Sequence, residues 1–133
     1  MPIVSTTQPD YYIAAFDDGT TSNVISLGIN GSGKAVIKAM IGGVLYSSGL
    51  SSTLTAGGIV KLAASFEAGN NLFSCNGTTL GAGTLNAVTV PASATRLGIG
   101  SGSDGVCAIQ SCVRRIIYWK NKLQQSQLNM VTA

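Results

Sequence analysis

The side chains able to do acid–base or nucleophilic chemistry are few: five carboxylates (Asp10, Asp17, Asp18, Glu67 and Asp104), three thiols (Cys75, Cys107 and Cys112) and no histidine. Without histidine the commonest proton shuttle and metal ligand is missing, and no Ser-His-Asp or Cys-His arrangement can form within the chain. Hydrolysis of a glycan needs two carboxylates about 5–10 Å apart across a cleft. Asp17 and Asp18 are adjacent, so on a strand they point to opposite faces, and Glu67 and Asp104 fall in predicted turns. Beside Gly19, the two aspartates fit turn formers bonded to their own backbone better than calcium ligands. The thiols form no CxxC pair, and Cys107 and Cys112 could join only across a very tight connection, so free thiols in a reducing compartment are expected. Gly31-Ser32-Gly33-Lys34 lacks the upstream glycine spacing of a phosphate loop. A glycan-hydrolysing domain stays open as an alternative, but the expectation is a protein that is not an enzyme, with no metal and no cofactor.

Binding leaves more candidates. A lectin-like sandwich holds sugar with aromatic faces and with amide or carboxylate groups at its loops, and the residues of those types are Tyr46, Asn71, Asn76, Asp104, Tyr118 and Trp119. Trp119, the single tryptophan, is the natural stacking platform; the competing role for it is packing at the end of a core strand. For Arg114-Arg115, one guanidinium is expected to pair with an acid such as Asp17 or Asp18 and the other to lie at the surface or a subunit contact, with an anionic glycan as the sharper alternative. Arg96 joins them as a structural or interface residue. The net charge is +3 from eight Lys and Arg; about six to ten phosphate contacts would consume nearly all of these, so nucleic acid is not an expected partner.

The elements that must position these groups follow from pattern. The 133 residues suffice for one domain with a core. Only 10% of them are charged, against roughly 25% in a typical soluble domain, and so neutral a surface resists association weakly. No apolar run reaches the ~18 residues of a membrane span, and the start MPIVSTTQPD has neither the basic nor the apolar region of a signal peptide. Residues 1–10 read as an extended arm, and 11–133 as a single β-sandwich domain. Strands are expected at 11–16, 23–29, 35–41, from 44, 59–66 and 71–75, with weaker strand material within 78–90. Two more follow, at 95–100 with Leu97 and Ile99 inward, and at 106–119. Turn signals lie at Asp18-Gly19, Asn30-Gly31, Gly42-Gly43 and Asn76-Gly77. A short helix at 123–131 closes the chain through Leu123, Leu128 and Val131. About nine to eleven short strands, with no long helix between them, predict an all-β sandwich.

The order of these pieces resembles a known family. Thr95-Arg96-Leu97-Gly98-Ile99-Gly100, then Val113-Arg114-Arg115-Ile116-Ile117-Tyr118-Trp119, then Leu123 and Leu128, is similar to the end of a concanavalin A-like, laminin-G-like jelly-roll domain. The most similar version occurs in tail-fibre, tailspike and other structural proteins of bacteriophages. Upstream, Asp18-Gly19-Thr20 through Asn23 resembles that family's Asp-Gly-Thr hairpin. Lys61 to Phe66 resembles its central strand, with Lys61 where the family carries histidine, and Phe73 to Gly77 resembles its Asn-Gly hairpin. The resemblance implies a jelly roll of two antiparallel sheets with a short C-terminal helix, acting as a non-enzymatic virion structural module. The module would be made in the host cytoplasm and carried on the particle, with a host-surface glycan as receptor. The family usually has one or two strands before the Asp-Gly-Thr hairpin, where this chain has residues 1–16. Either the chain is a piece cut from a longer protein or a partner completes its sheet, and the expected partners are its own copies, as a homotrimer, or a larger phage structural protein.

Overall fold

The computed structural model describes residues 11–20, 22–67, 69–100 and 113–133. The predicted arm at 1–10, Asp104, Cys107, Cys112 and positions 106–112 of the predicted last strand lie outside the described residues.

The described chain is all-β, with two antiparallel sheets and one C-terminal helix. The first sheet has the order β4-β3-β2-β1-β8, from β1 (Tyr11–Asp17), β2 (Asn23–Ile29), β3 (Ala35–Ile41), β4 (Val44–Ser47) and β8 (Arg96–Ile99). The second has the order β5-β6-β7, from β5 (Leu62–Ser65), β6 (Leu72–Cys75) and β7 (Thr78–Leu80). Close turns enforce this meander. Gly42 and Gly43 both take positive φ (57° and 79°), as do Asn76 and Gly77 (47° and 78°), so each two-residue loop has the mirror-image turn that suits strand twist. The Asn30-Gly31 signal marks a hairpin but not its geometry. There the Asn30 side chain accepts from the Ser32 and Lys34 amides, and Gly33 takes the positive φ.

Period-2 alternation decides which side chains meet. Register aligns Phe16, Ile25, Ala39 and Tyr46 in one row, and Ala14, Leu27 and Ile37 in the next, on the inner face of the first sheet. Phe73, Cys75 and Leu80 come from the second sheet, and together with Ile25, Ile37, Leu85 and Val88 they form the buried core. Phe73 is its largest fully buried side chain and meets Phe66 edge-on, ring centroids 5.5 Å apart. The outward face of the second sheet is covered by helix α1 (Gln125–Thr132). Leu128 is its buried apolar anchor, but most of the docking is polar. The Gln125 amide donates to the Phe73 carbonyl at 3.0 Å, and the Thr132 hydroxyl lies 2.8 Å from the Ser74 hydroxyl and accepts from the Gly77 amide. A reciprocal bond between Gln124 and Gln127 caps its first turn.

Several expectations need correction. The described part of the predicted last strand, residues 113–119, has no strand pairing among the described residues, and Ile116 and Ile117 are exposed rather than buried between layers. Within 78–90 only β7 is strand; Gly83–Ala87 is a 3-10 helix whose Leu85 enters the core. The strand expected at 59–66 forms only over Leu62–Ser65. Leu97 and Ile99 lie in the inner-face rows, opposite Phe16 and Ala14, yet they are 47% and 57% exposed. Among the described residues five strands face only three, and the inner face runs out of cover at its β8 end.

Candidate functional site

Two adjoining grooves open where the β6–β7 hairpin meets the long connection from β4 to β5. One is about 290 Å³, lined by Ser52, Thr53, Leu54, Thr55, Ile59, Val60 and Asn76 among others; the second, about 200 Å³, shares Ser52, Leu54 and Asn76 and adds Thr78 and Thr79. The connection is serine- and threonine-rich, so it cannot enter the core. Leu54 and Val60 anchor it against the core, and bonds from Ser48, Ser51 and Leu54 to β3 and the β2–β3 loop hold it in place. The hydroxyls of Ser52, Thr53, Thr55 and Thr78 make no hydrogen bond among the described residues. Among the described residues no charged side chain lines either groove. The walls therefore offer neutral donors and acceptors over an apolar floor. That suits an uncharged polar ligand. Cys75 borders the second groove, and burial pushes its thiol above the ordinary 9.0, opposed by a hydrogen bond to Ser51; it stays protonated and unreactive at neutral pH.

Five of the six sugar-binding candidates lie among the described residues, and these five do not converge on the grooves. Asn76 is the one that lines the grooves. Its Oδ1 accepts from the Lys61 amide at 2.8 Å, and its Nδ2 is engaged by no described residue. Asn71 is buried, donating to the Leu85 and Val88 carbonyls at 2.6 and 2.8 Å and accepting from the Glu67 amide. It is a core strut and not a ligand contact. Tyr46 packs against the core. Tyr118 and Trp119 are 79% and 39% exposed, so Trp119 is not a core residue. The chain just after them is tied by Lys122 to Glu67 and the Asn70 carbonyl, at the end of β6 opposite Asn76. Neither Tyr118 nor Trp119 lines the grooves. Asp104 lies outside the described residues.

The aspartate–arginine expectation is also corrected. Asp17 is buried and pairs with Arg96 at 3.8 Å while accepting from the Gly19 amide. Arg114 and Arg115 are exposed and bind neither aspartate. Register explains this, because Arg96 is the cross-strand partner of Asp17 on β8. Asp18 accepts from the Thr20 hydroxyl, the Asn23 side-chain amide and the Thr20 backbone amide, and these bonds hold its carboxyl below the ordinary 3.8. Since the folded value lies below the unfolded one, the turn's gain is present above pH 3.8 and is lost as pH falls through the lower folded value. Both aspartates are committed to the β1–β2 hairpin, and among the described residues no group of three or more acidic, cysteine or histidine side chains could hold a metal.

Sequence reasoning missed Leu85 and Val88, read as weak strand, and the polar docking of Gln125, Asn129 and Thr132. The signal for that docking face was present as a polar i, i+4, i+7 series, which a search for apolar periodicity ignores. No family model and no curated protein matches the chain. Among solved structures, the chain is similar over its whole length to 67% of an S-layer domain-containing protein (residues 221–444) from Clostridium thermocellum ATCC 27405, at 15% identity and a TM-score of 0.47.

Proposed function

We propose that this chain is a non-catalytic structural module of a bacteriophage particle, of concanavalin A-like type, that works by joining its own copies or a larger phage structural protein. The observation that carries it is the unbalanced sandwich, in which the β8 end of the five-stranded sheet keeps Leu97 and Ile99 exposed. Exposed aliphatics on a sheet edge are an association surface that free monomers normally blunt with charge. The low charge of the chain and its resemblance to tail-fibre and tailspike domains point the same way. Gold-labelled antibody against the chain tests the assignment by electron microscopy of particles released from cells that carry the gene. Label at one fixed position on the particle, on the tail, supports it. Label confined to the host envelope or absent from particles ends it.

A second reading, a carbohydrate-binding module directed at a host-surface glycan, is favoured by the neutral, hydroxyl-lined grooves at Asn76. On a glycan array the chain is expected to prefer uncharged over sialylated or sulfated sugars. Asn76→Asp keeps the acceptor for the Lys61 amide and tolerates positive φ but removes the free donor. It should weaken binding about tenfold, the value of one hydrogen bond, and unchanged affinity would move the site elsewhere.

A further inference from the structure

We infer that the β8 edge is a seam between two copies of this chain, joined antiparallel about a two-fold axis at Gly98. Three observations lead there. First, the two edges of the five-stranded sheet are not equivalent. At the β4 edge, the Ser47 amide donates to the Thr84 hydroxyl, which returns a bond to the Ser47 carbonyl, and the Gly49 amide donates to the Gly81 carbonyl. That edge is closed at its Ser47 end by residues 81–84. Among the described residues nothing pairs with the outer side of β8.

Second, the outward backbone groups of β8 sit on its apolar residues. The Gly100 amide donates to the Ile13 carbonyl at 2.8 Å, so Ile13–Gly100 is a hydrogen-bonded pair. Bonded pairs alternate along an antiparallel ladder, and the next are Ala15–Gly98 and Asp17–Arg96. The N–H and C=O groups of Leu97 and Ile99 therefore point away from β1, and the side chains of the same two residues are exposed.

Third, the strand is complementary to itself. About a two-fold axis at Gly98, Leu97 lies opposite Ile99 of the second copy and Ile99 opposite its Leu97. Four backbone hydrogen bonds form, with an aliphatic cross-strand pair on either side of the axis. Arg96 then faces Gly100 of the second copy and not its own image, and each Arg96 already has its Asp17 counter-charge, so no like charges are brought together. Joining β8 to β4 of another copy is less favourable, because the two edge strands of this sheet run in the same direction and would meet as a parallel pair.

A seam of four residues is small beside the roughly 800 Å² per partner of stable complexes, so the dissociation constant is expected between about 1 μM and 1 mM. Sedimentation equilibrium of the full chain up to millimolar concentration tests this. The mass should rise from 13.5 kDa to twice that value. Leu97→Lys with Ile99→Lys should abolish the rise while the far-UV circular dichroism stays unchanged. If that pair unfolds the chain, Leu97→Thr with Ile99→Thr keeps strand propensity and should weaken the dimer about tenfold or more. Val44→Lys with Leu45→Lys on the other edge should leave it intact. A monomer at every concentration, a trimer, or a dimer insensitive to the β8 substitutions overturns the seam. The inference rests on the reading of the chain as an assembly module, but a strict monomer found on particles would end the two-fold seam and leave the particle role standing.

Discussion

Asn71→Ala is expected to lower the stability of the fold by about 2–4 kcal/mol, because it strands several buried polar groups at once. The Asn71 amide is the bond acceptor for the Glu67 amide and the donor to the Leu85 and Val88 carbonyls. It thereby ties the start of β6 to the 3-10 turn that delivers Leu85 and Val88 to the core. Alanine removes three hydrogen bonds and leaves the buried Leu85 and Val88 carbonyls without their partner. Asn71→Asp keeps the acceptor but sets a buried carboxylate against two carbonyls, and should be worse at neutral pH. Urea unfolding of the variants measures both effects. A change below about 0.5 kcal/mol would mean that the amide is not structural and would return Asn71 to the list of ligand contacts.

Phe73→Ala is the most damaging single truncation expected, at about 3–5 kcal/mol. The ring is fully buried between the sheets and packs edge-on against Phe66. Neighbours drawn from β2, β3, β6, β7 and the 3-10 turn cannot all collapse into the space it leaves. Small domains are stable by only about 5–15 kcal/mol, so the variant should unfold in much less urea or fail to show a cooperative transition. Phe73→Leu should cost less than half as much. Equal stability of the alanine variant and the parent would show that the core is not centred on this ring.

Most of the first sheet was legible in the sequence because it is a run of close hairpins. Alternation in 23–29, with Asn30-Gly31 before β3 and Gly42-Gly43 between β3 and β4, leaves little freedom in register. The second sheet was harder to read. Its strands are only three or four residues long, too short for a period to show, and its cover is a helix that docks through amides and hydroxyls. The segment 113–119 misled for a physical reason. A branched, apolar stretch reads as a strand wherever it lies, but strand formation needs a partner edge that sequence alone does not supply. The same limit applies to β8. Its alternation fixed which way Leu97 and Ile99 face, yet whether anything lies over them depends on the width of the opposite sheet. For the site, residue type put Asn76 and Asn71 on the same footing; the structure sets Asn76 at the grooves and buries Asn71 in three hydrogen bonds, a difference that one sequence does not show.

The most direct measurement of the particle role is the copy number of this chain in phage particles, purified through two successive density gradients and washed in high salt. Peptides of the chain would be quantified by mass spectrometry against those of the major capsid protein. A component built into the particle should give a fixed number of copies per particle, unchanged by the second gradient and by the wash. Peptides that fall toward zero with each step, or that stay with the host membrane fraction, would contradict it.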